Sequence, residues 1–281
     1  MDFLSSFITD MVNNGIMPKS TKDIVPSDRF RRVQSHSDKG GKRSISYWLR
    51  VEYDFAYGYV KDFKTGLERR FKSYKNDHNL TRADINRIKA MLKARQAEQD
   101  AAIAARQKKI ADRAKIIWAQ ASVTGNSPYV ELKKINPISA RYLENQLIIS
   151  MHEVDTLEIL SWQTIFPDGR KRFPFGGKKQ GCCHILGQIN PAEPIVLCEG
   201  YATGATIYEA IKMAVVVAFD AGNLIHVARA LRKKYRAAKI IIAADNDKSE
   251  AGQKAAYSVK EKVENCAVVM PETVGCDFND V

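Results

Sequence analysis

IVLC (195–198), AVVVAF (214–219), KIIIAA (239–244) and CAVVM (266–270) are four short aliphatic runs, and the segments between them carry helical patterns from about Ala205, Leu224 and Glu250. A strand buried on both faces reads as a continuous apolar run, and regular alternation of such runs with helices is the pattern of a parallel α/β sheet. Residues 195–281 are therefore expected to form a Rossmann-like parallel sheet. Immediately upstream, residues 126–194 read as a mixed α/β subdomain, with strand patterns over 153–162 and 164–173, a Pro167-Asp168-Gly169 turn and a second turn at Gly176-Gly177.

The front of the chain is patterned differently. Residues 1–78 open with a short helix whose apolar positions are Phe3, Leu4, Phe7, Ile8, Met11 and Val12, ending near Asn14-Gly15, and continue as a β-rich module. In SISYWLRVEYDFAYGY (44–59), Tyr53, Phe55, Tyr57 and Tyr59 fall at spacing two and share one face of a strand. That face reads first as the core of a small sheet, with base stacking as the alternative. Residues 79–125 read as one long helical stretch, capped at Thr81 with Asp84 three residues on. A heptad seam through Ile85, Ile88 and Leu92 runs into Arg95, Gln99, Ala102 and Arg106, which are poor core residues. A helical linker is expected rather than a coiled coil, with the Ala-rich middle as the place for a bend.

The chain has 281 residues, is 45% hydrophobic and 27% charged, and so excludes a disordered or collagenous protein. No apolar run approaches the roughly 18 residues of a membrane span, and a soluble cytoplasmic protein without a membrane partner is expected. Five cysteines without C-x-x-C spacing signal neither a disulfide framework nor a zinc ribbon, and no zinc is expected. Of the net charge of +12, residues 1–125 hold +11 (25 Lys+Arg against 14 Asp+Glu) and residues 126–281 hold +1 (19 against 18). The polyanion-facing half is the front one.

In an open α/β sheet, functional groups sit beyond the carboxyl ends of the strands. Here each such end carries an acid: Glu199 after the first run, Asp220 after the second, Asp245 and Asp247 after the third, and Asp277 and Asp280 a short loop past the fourth. Helix capping accounts for an acid such as Asp220 alone, but not for Asp245-Asn246-Asp247, whose two carboxylates turn to one side if the backbone is extended. Gathered carboxylates repel unless a cation neutralises them, and hard oxygen ligands suit Mg2+ or Mn2+. Neither a Walker loop nor G-x-G-x-x-G occurs, which disfavours an ATPase or a dinucleotide enzyme.

Glu199-Gly200 after an apolar strand, with Asp245-Asn246-Asp247 and Ala251-Gly252 further on, resembles the Toprim domain. Within it, LCEGYATGATIYEA (197–210) and CDFNDV (276–281) are similar to motifs of Toprim DNA primases carried by phages, plasmids and other mobile elements. The resemblance implies that Glu199 is the catalytic acid beside the reacting phosphate, and that Asp245 and Asp247, with Glu199, Asp277 and Asp280, hold Mg2+ or Mn2+. It implies primer synthesis on single-stranded DNA from nucleoside triphosphates in the cytoplasm of a bacterial host cell. Relatives often continue into a helicase or a helicase-binding segment, so a replicative helicase, fused or separate, is an expected partner. The N-terminal zinc domain of many such primases has no counterpart motif here, because Cys182-Cys183-His184 does not supply tetrahedral ligation.

Triphosphate charge calls for cations near the carboxylates, and Lys248, Arg170, Arg172, Lys178 and Lys179 are the candidate nucleotide-binding residues. Template contacts are expected from Arg31, Arg32, Lys42, Arg43, Arg69 and Arg70, with Trp48 among the rings. The same metal chemistry serves a Toprim nuclease with water as nucleophile, and a non-catalytic nucleic-acid-binding module of a replication protein is the third reading.

Overall fold

The computed structural model describes the chain apart from Met1, Tyr53, Asp54, residues 75–81, Lys248 and Ser249, and apart from the side chains of Ala83, Asp84, Ile85, Ile88, Met91, Leu92 and Arg95. The Thr81 cap with Asp84, the Tyr53 position, the start of the heptad seam and Lys248 lie outside the described residues. The chain divides into two compact units, residues 1–95 and 96–281.

In the first unit, helix α1 (Phe3–Asn13) begins at Asp2, whose carboxylate accepts from the Leu4 N–H at 3.4 Å. Four antiparallel strands follow, β1 (Ser27–Val33), β2 (Ile45–Val51), β3 (Phe55–Asp62) and β4 (Glu68–Tyr74), in sheet order 1-2-3-4. Phe7 and Met11 of α1 pack with Ile45, Tyr47, Leu49, Ala56, Val60 and Phe71 on one sheet face. Burying Phe7 fully contributes about 1.5–3 kcal/mol. The strand alternation is as read, but the covered face is the other one. Ala56, Gly58 and Val60 face the helix, while Tyr57 and Tyr59 lie on the opposite side and are only half-buried. Gly58 marks the side: a Cβ there would come within 2.7 Å of the Trp48 carbonyl of β2 and 3.2 Å of the Phe7 ring of α1, so this position has no room for a side chain.

Helix α2 (Arg82–Gln120) runs unbroken through the Ala-rich stretch, and within the second unit its later turns pack by Arg113 over the Trp162 ring and Ile110 against Gly177. It is thus also a packing element and not a linker alone. After α3 (Pro128–Lys133) come β5 (Arg141–Leu143), β6 (Gln146–Glu153), β7 (Ile159–Ile165), β8 (Lys171–Arg172) and β9 (Cys182–Leu186). The strand expected over 153–162 is in fact two, separated by the turn after Glu153, and most of β6 lies upstream of it. The remaining elements alternate: β10 (Ile195–Cys198), α4 (Tyr201–Ile211), β11 (Val215–Val217), α5 (Ala221–Lys234), β12 (Ile240–Ala243), α6 (Ala251–Lys262) and β13 (Cys266–Val269).

Among the described residues one nine-stranded sheet has the order β13-β12-β10-β11-β9-β6-β7-β8, with β5 beside β6. Strands β10 to β13 pair in parallel and β9 is antiparallel to β11. Ile195 and Leu197 point into a core shared with α5 and α6, while Val196 and Cys198 point into one shared with α4. Burial on both faces is what the unbroken aliphatic runs encode. The connection from β10 leads to β11 on one side, and β12 then returns to the other, so the sheet order reverses between β10 and β12.

Candidate active site

Glu199 sits at that reversal, a single residue between the end of β10 and Gly200, the N-cap of α4. With a strand on one side and a helix cap on the other, its backbone has little freedom. Asp245 and Asp247 leave the carboxyl end of the neighbouring β12. Between them Asn246 is buried, donating its amide to the Pro271 carbonyl at 2.9 Å and its backbone N–H to the Cys276 carbonyl at 3.0 Å. The middle residue is turned into the protein, which ties the loop to the segment carrying Asp277.

Gly252, in the first turn of α6, marks where the acids meet. A Cβ built on it would lie 2.7 Å from Glu199 Oε1 and 3.6 Å from Asp247 Oδ2, and its N–H donates to Asp247 Oδ2 at 3.4 Å. Asp277 and Asp280 close the motif on each other, the Asp277 N–H donating to Asp280 Oδ2 at 3.0 Å. Asn279, between them, donates to the Lys133 carbonyl and to Thr206 Oγ1, each at 2.9 Å. Asp220 N-caps α5, accepting from the Asn223 N–H at 2.9 Å.

The electrostatics of Glu199 and Asp245 are those of buried carboxylates set beside other acids. Burial, then the charges of Asp245, Asp247 and Asp220, push Glu199 up to about 7, against the pull of the Ala221 N–H. Burial and then Asp277 push Asp245 up to about 6, with Lys171 opposing. Glu199 Oε1 and Asp245 Oδ1 are both buried without a hydrogen-bond partner. Unpaired, desolvated carboxylate oxygens are costly, and hard oxygen donors of this kind fit a hard divalent cation. Among the described residues no three or more His, Cys, Asp or Glu stand in positions to ligate one ion; the fit is one of donor chemistry.

The expected nucleotide-binding residues are distributed unevenly. Lys178 pairs with Glu153 at 2.8 Å, Lys179 pairs with Asp220, and Arg170 pairs with Asp168 at 2.5 Å. Arg170 and Arg172 both lie over the Phe166 ring. Among the described residues, the cation that acts on Asp245 is Lys171, which the charge pattern alone does not single out. Its pKa is lowered, first by loss of water around the ammonium and then by Lys133, and is drawn back up by Asp277 and Asp245. In a strand, neighbours point to opposite sides, so Lys171 goes where Arg170 and Arg172 do not. Tyr129 is a second unforeseen neighbour: its buried hydroxyl has no partner, and burial with the charge of Asp277 pushes it up to about 12. A cavity of about 710 Å3 lined by Trp118, Arg141, Ser150, His152 and His184 includes none of these acids.

The front basic residues also separate. Arg31 and Arg69 lie opposite Tyr47 and Val60, on the α1 side, where Arg69 meets Asp10 at 3.5 Å. Arg32, Trp48 and Arg70 lie on the other face, and Lys42 and Arg43 are in the loop before β2.

Residues 194–281 match the family model of the Toprim domain. The chain is 32% identical over 228 residues to a DNA primase TraC of Escherichia coli, covering 77% of this chain and 21% of that protein. A second Escherichia coli DNA primase TraC is 46% identical over 89 residues, 31% of this chain and 6% of that one. The chain thus spans about a fifth or less of the curated relatives' length. Among solved structures, the zinc-binding and RNA polymerase domains of the Aquifex aeolicus primase align at TM-score 0.44 with 14% identity, covering 97% of this chain and 78% of that one. The DnaG catalytic core aligns at 0.37 with 14% identity, covering 50% and 49%. Both scores fall below 0.5, and the kinship rests on the sequence matches. Residues 194–281 are a Toprim domain, in a chain similar along most of its length to DNA primase TraC.

Proposed function

We propose that the chain is the catalytic part of a DNA primase of mobile elements, acting in the cytoplasm of a bacterial host on single-stranded DNA with nucleoside triphosphates. The observation that supports this best is the meeting of the Glu199 and Asp247 carboxylates about Gly252 at the sheet reversal, beside the backbone carbonyl of Asp245, with one buried oxygen of Glu199 and one of Asp245 unpaired. A nucleotide 3′-hydroxyl attacks the α-phosphorus of the incoming nucleotide. The new O–P bond forms as the bond to the bridging oxygen breaks, and pyrophosphate leaves with that electron pair.

Glu199, beside the reacting phosphate, is assigned to take the hydroxyl proton; burial and its acidic neighbours raise it to about 7, and a cation held by those neighbours would lower it toward the ionised form that a base requires. Asp245 and Asp247, with Glu199 and Asp277, would hold Mg2+ or Mn2+, which supplies charge neutralisation of the phosphates. Lys171, Lys178 and Lys179 supply further positive charge, the last two on exchanging Glu153 and Asp220 for phosphate. Asp280 stands behind Asp277. Lys248, beside the metal-binding pair in sequence, is assigned to the nucleotide on that ground. Arg31, Arg32, Lys42, Arg43, Trp48, Arg69 and Arg70 are assigned to the template, and a replicative helicase is the expected partner.

The test is incubation of the protein with single-stranded DNA, all nucleotides and Mg2+ or Mn2+, with short products and template resolved on one gel. Short oligonucleotides dependent on both nucleotide and metal are the expected result. Degraded template without product would favour the nuclease, and neither would favour a binding module.

A further inference from the structure

The face of the N-terminal sheet opposite α1 carries a row of rings. Phe30 meets Tyr59 edge-on at 6.1 Å between centroids, Trp48 meets Tyr57 edge-on at 5.4 Å, and Phe55 stacks on Tyr57 at 5.8 Å. Trp48 and Tyr59 are partly accessible and Phe30 is 63% exposed. Such surface costs free energy in water, and the core of this unit does not use it, because α1 fills the opposite face.

The row runs into a basic corner. Arg32 lies over the Phe63 ring at 4.7 Å, and a cavity of about 560 Å3 opens there, lined by Arg32, Lys39, Lys42, Arg43 and Lys64 among others. Its one acid, Asp38, is engaged in shaping the loop: it accepts the N–H groups of Ser35 and Ser44, both at 2.9 Å. The cations therefore face outward largely uncompensated, next to rings.

We infer that this face is a base-stacking platform for single-stranded DNA, with Trp48, Tyr59 and Phe30 receiving bases and Arg32, Lys42 and Arg43 receiving phosphates. Rings at strand spacing beside a cationic groove are what unpaired bases and their backbone require, whereas a duplex hides its base faces. The inference rests on the template assignment above and narrows it: Arg69 and Arg31, on the α1 side, contribute little.

The test is binding of the full chain to a labelled oligo-dT across a range of salt, without nucleotide or divalent ion, so that it stands or falls independently of catalysis. Trp48→Ala and Phe30→Ala should each weaken binding about 5-fold or more while leaving the slope of log affinity on log salt unchanged. Arg32→Ala combined with Arg43→Ala should instead reduce that slope by about 0.7 for each phosphate no longer neutralised. Trp48→Phe should retain most of the affinity, and Phe30 is exposed enough that its removal leaves the fold intact. Wild-type affinity in Phe30→Ala and Trp48→Ala would overturn the proposal. So would a duplex of equal length bound as tightly as the single strand, or an equal loss in Arg69→Ala.

Discussion

The two sheets put their chemistry in different places because they are covered differently. The C-terminal sheet is buried on both faces by helices, and Glu199, Asp245 and Asp247 stand beyond the carboxyl ends of β10 and β12. Among the described residues the N-terminal sheet is covered on one face by α1, while the other keeps Phe30 exposed and Trp48 and Tyr59 partly accessible. One site is a point of concentrated negative charge, the other a broad area of rings and cations. Chemistry that must be aligned to a fraction of an ångström suits the first, and contact with a strand of any sequence suits the second.

The sharpest way to break that division is at the acids. Glu199→Gln, Asp245→Asn and Asp247→Asn should each lower primer synthesis at least 100-fold, the scale for losing a group that acts in the transition state, with oligo-dT binding unchanged. Normal synthesis in all three would remove the site. Gly252→Ala should follow closely, because its methyl would have to displace Glu199 Oε1; gel assays of product, with melting curves to show that the fold persists, decide it. A smaller loss is expected from Lys171→Ala, about 10-fold and expressed mainly in nucleotide KM. Lys178→Ala with Lys179→Ala should weaken synthesis more than DNA binding, and a pure DNA-binding defect would move these lysines to the template.

The smallest effect is on stability and has the opposite direction. Glu199 titrates near 7 in the fold and near 4.5 when unfolded, so between these values the native state holds more protons and stability falls as pH rises. In chelator, Glu199→Gln should match the wild type near pH 4.5 and melt higher above pH 7, by about 2–4 °C for each kcal/mol of repulsion removed. Mn2+ should narrow the gap by binding the wild type more tightly. Equal melting at pH 8 in chelator would mean that the acids are not in conflict.

Much of the C-terminal architecture was legible because doubly buried strands must be aliphatic. Helices α4 and α5 begin four and three residues earlier than their patterns, since Gly200 and Asp220 cap directly behind the strands and the first turns bring Tyr201 and Ala221 before the obvious apolar repeat. Strand β6 was misplaced because QLIISM (146–151) is apolar without alternation, a pattern that fixes burial but not secondary structure. In the front sheet, alternation grouped Phe55, Tyr57 and Tyr59 correctly, yet period two is silent on which side a helix will cover; Gly58 between them carried that information. Lys171 was hidden between two basic neighbours, Arg170 and Arg172, and only the pairing of Ile165 with Lys171 fixes its side.

Asn246 makes the spacing of the acid pair a matter of phase. Its amide and backbone are laced to Pro271, Gly275 and Cys276, so the flanking carboxylates are held to one side only while a single inward residue separates them. An inserted or deleted residue at this point would leave both acids in the chain and point one of them into the protein. The motif is read by the fold as a rhythm, and a sequence that kept its composition but shifted its beat would have no site.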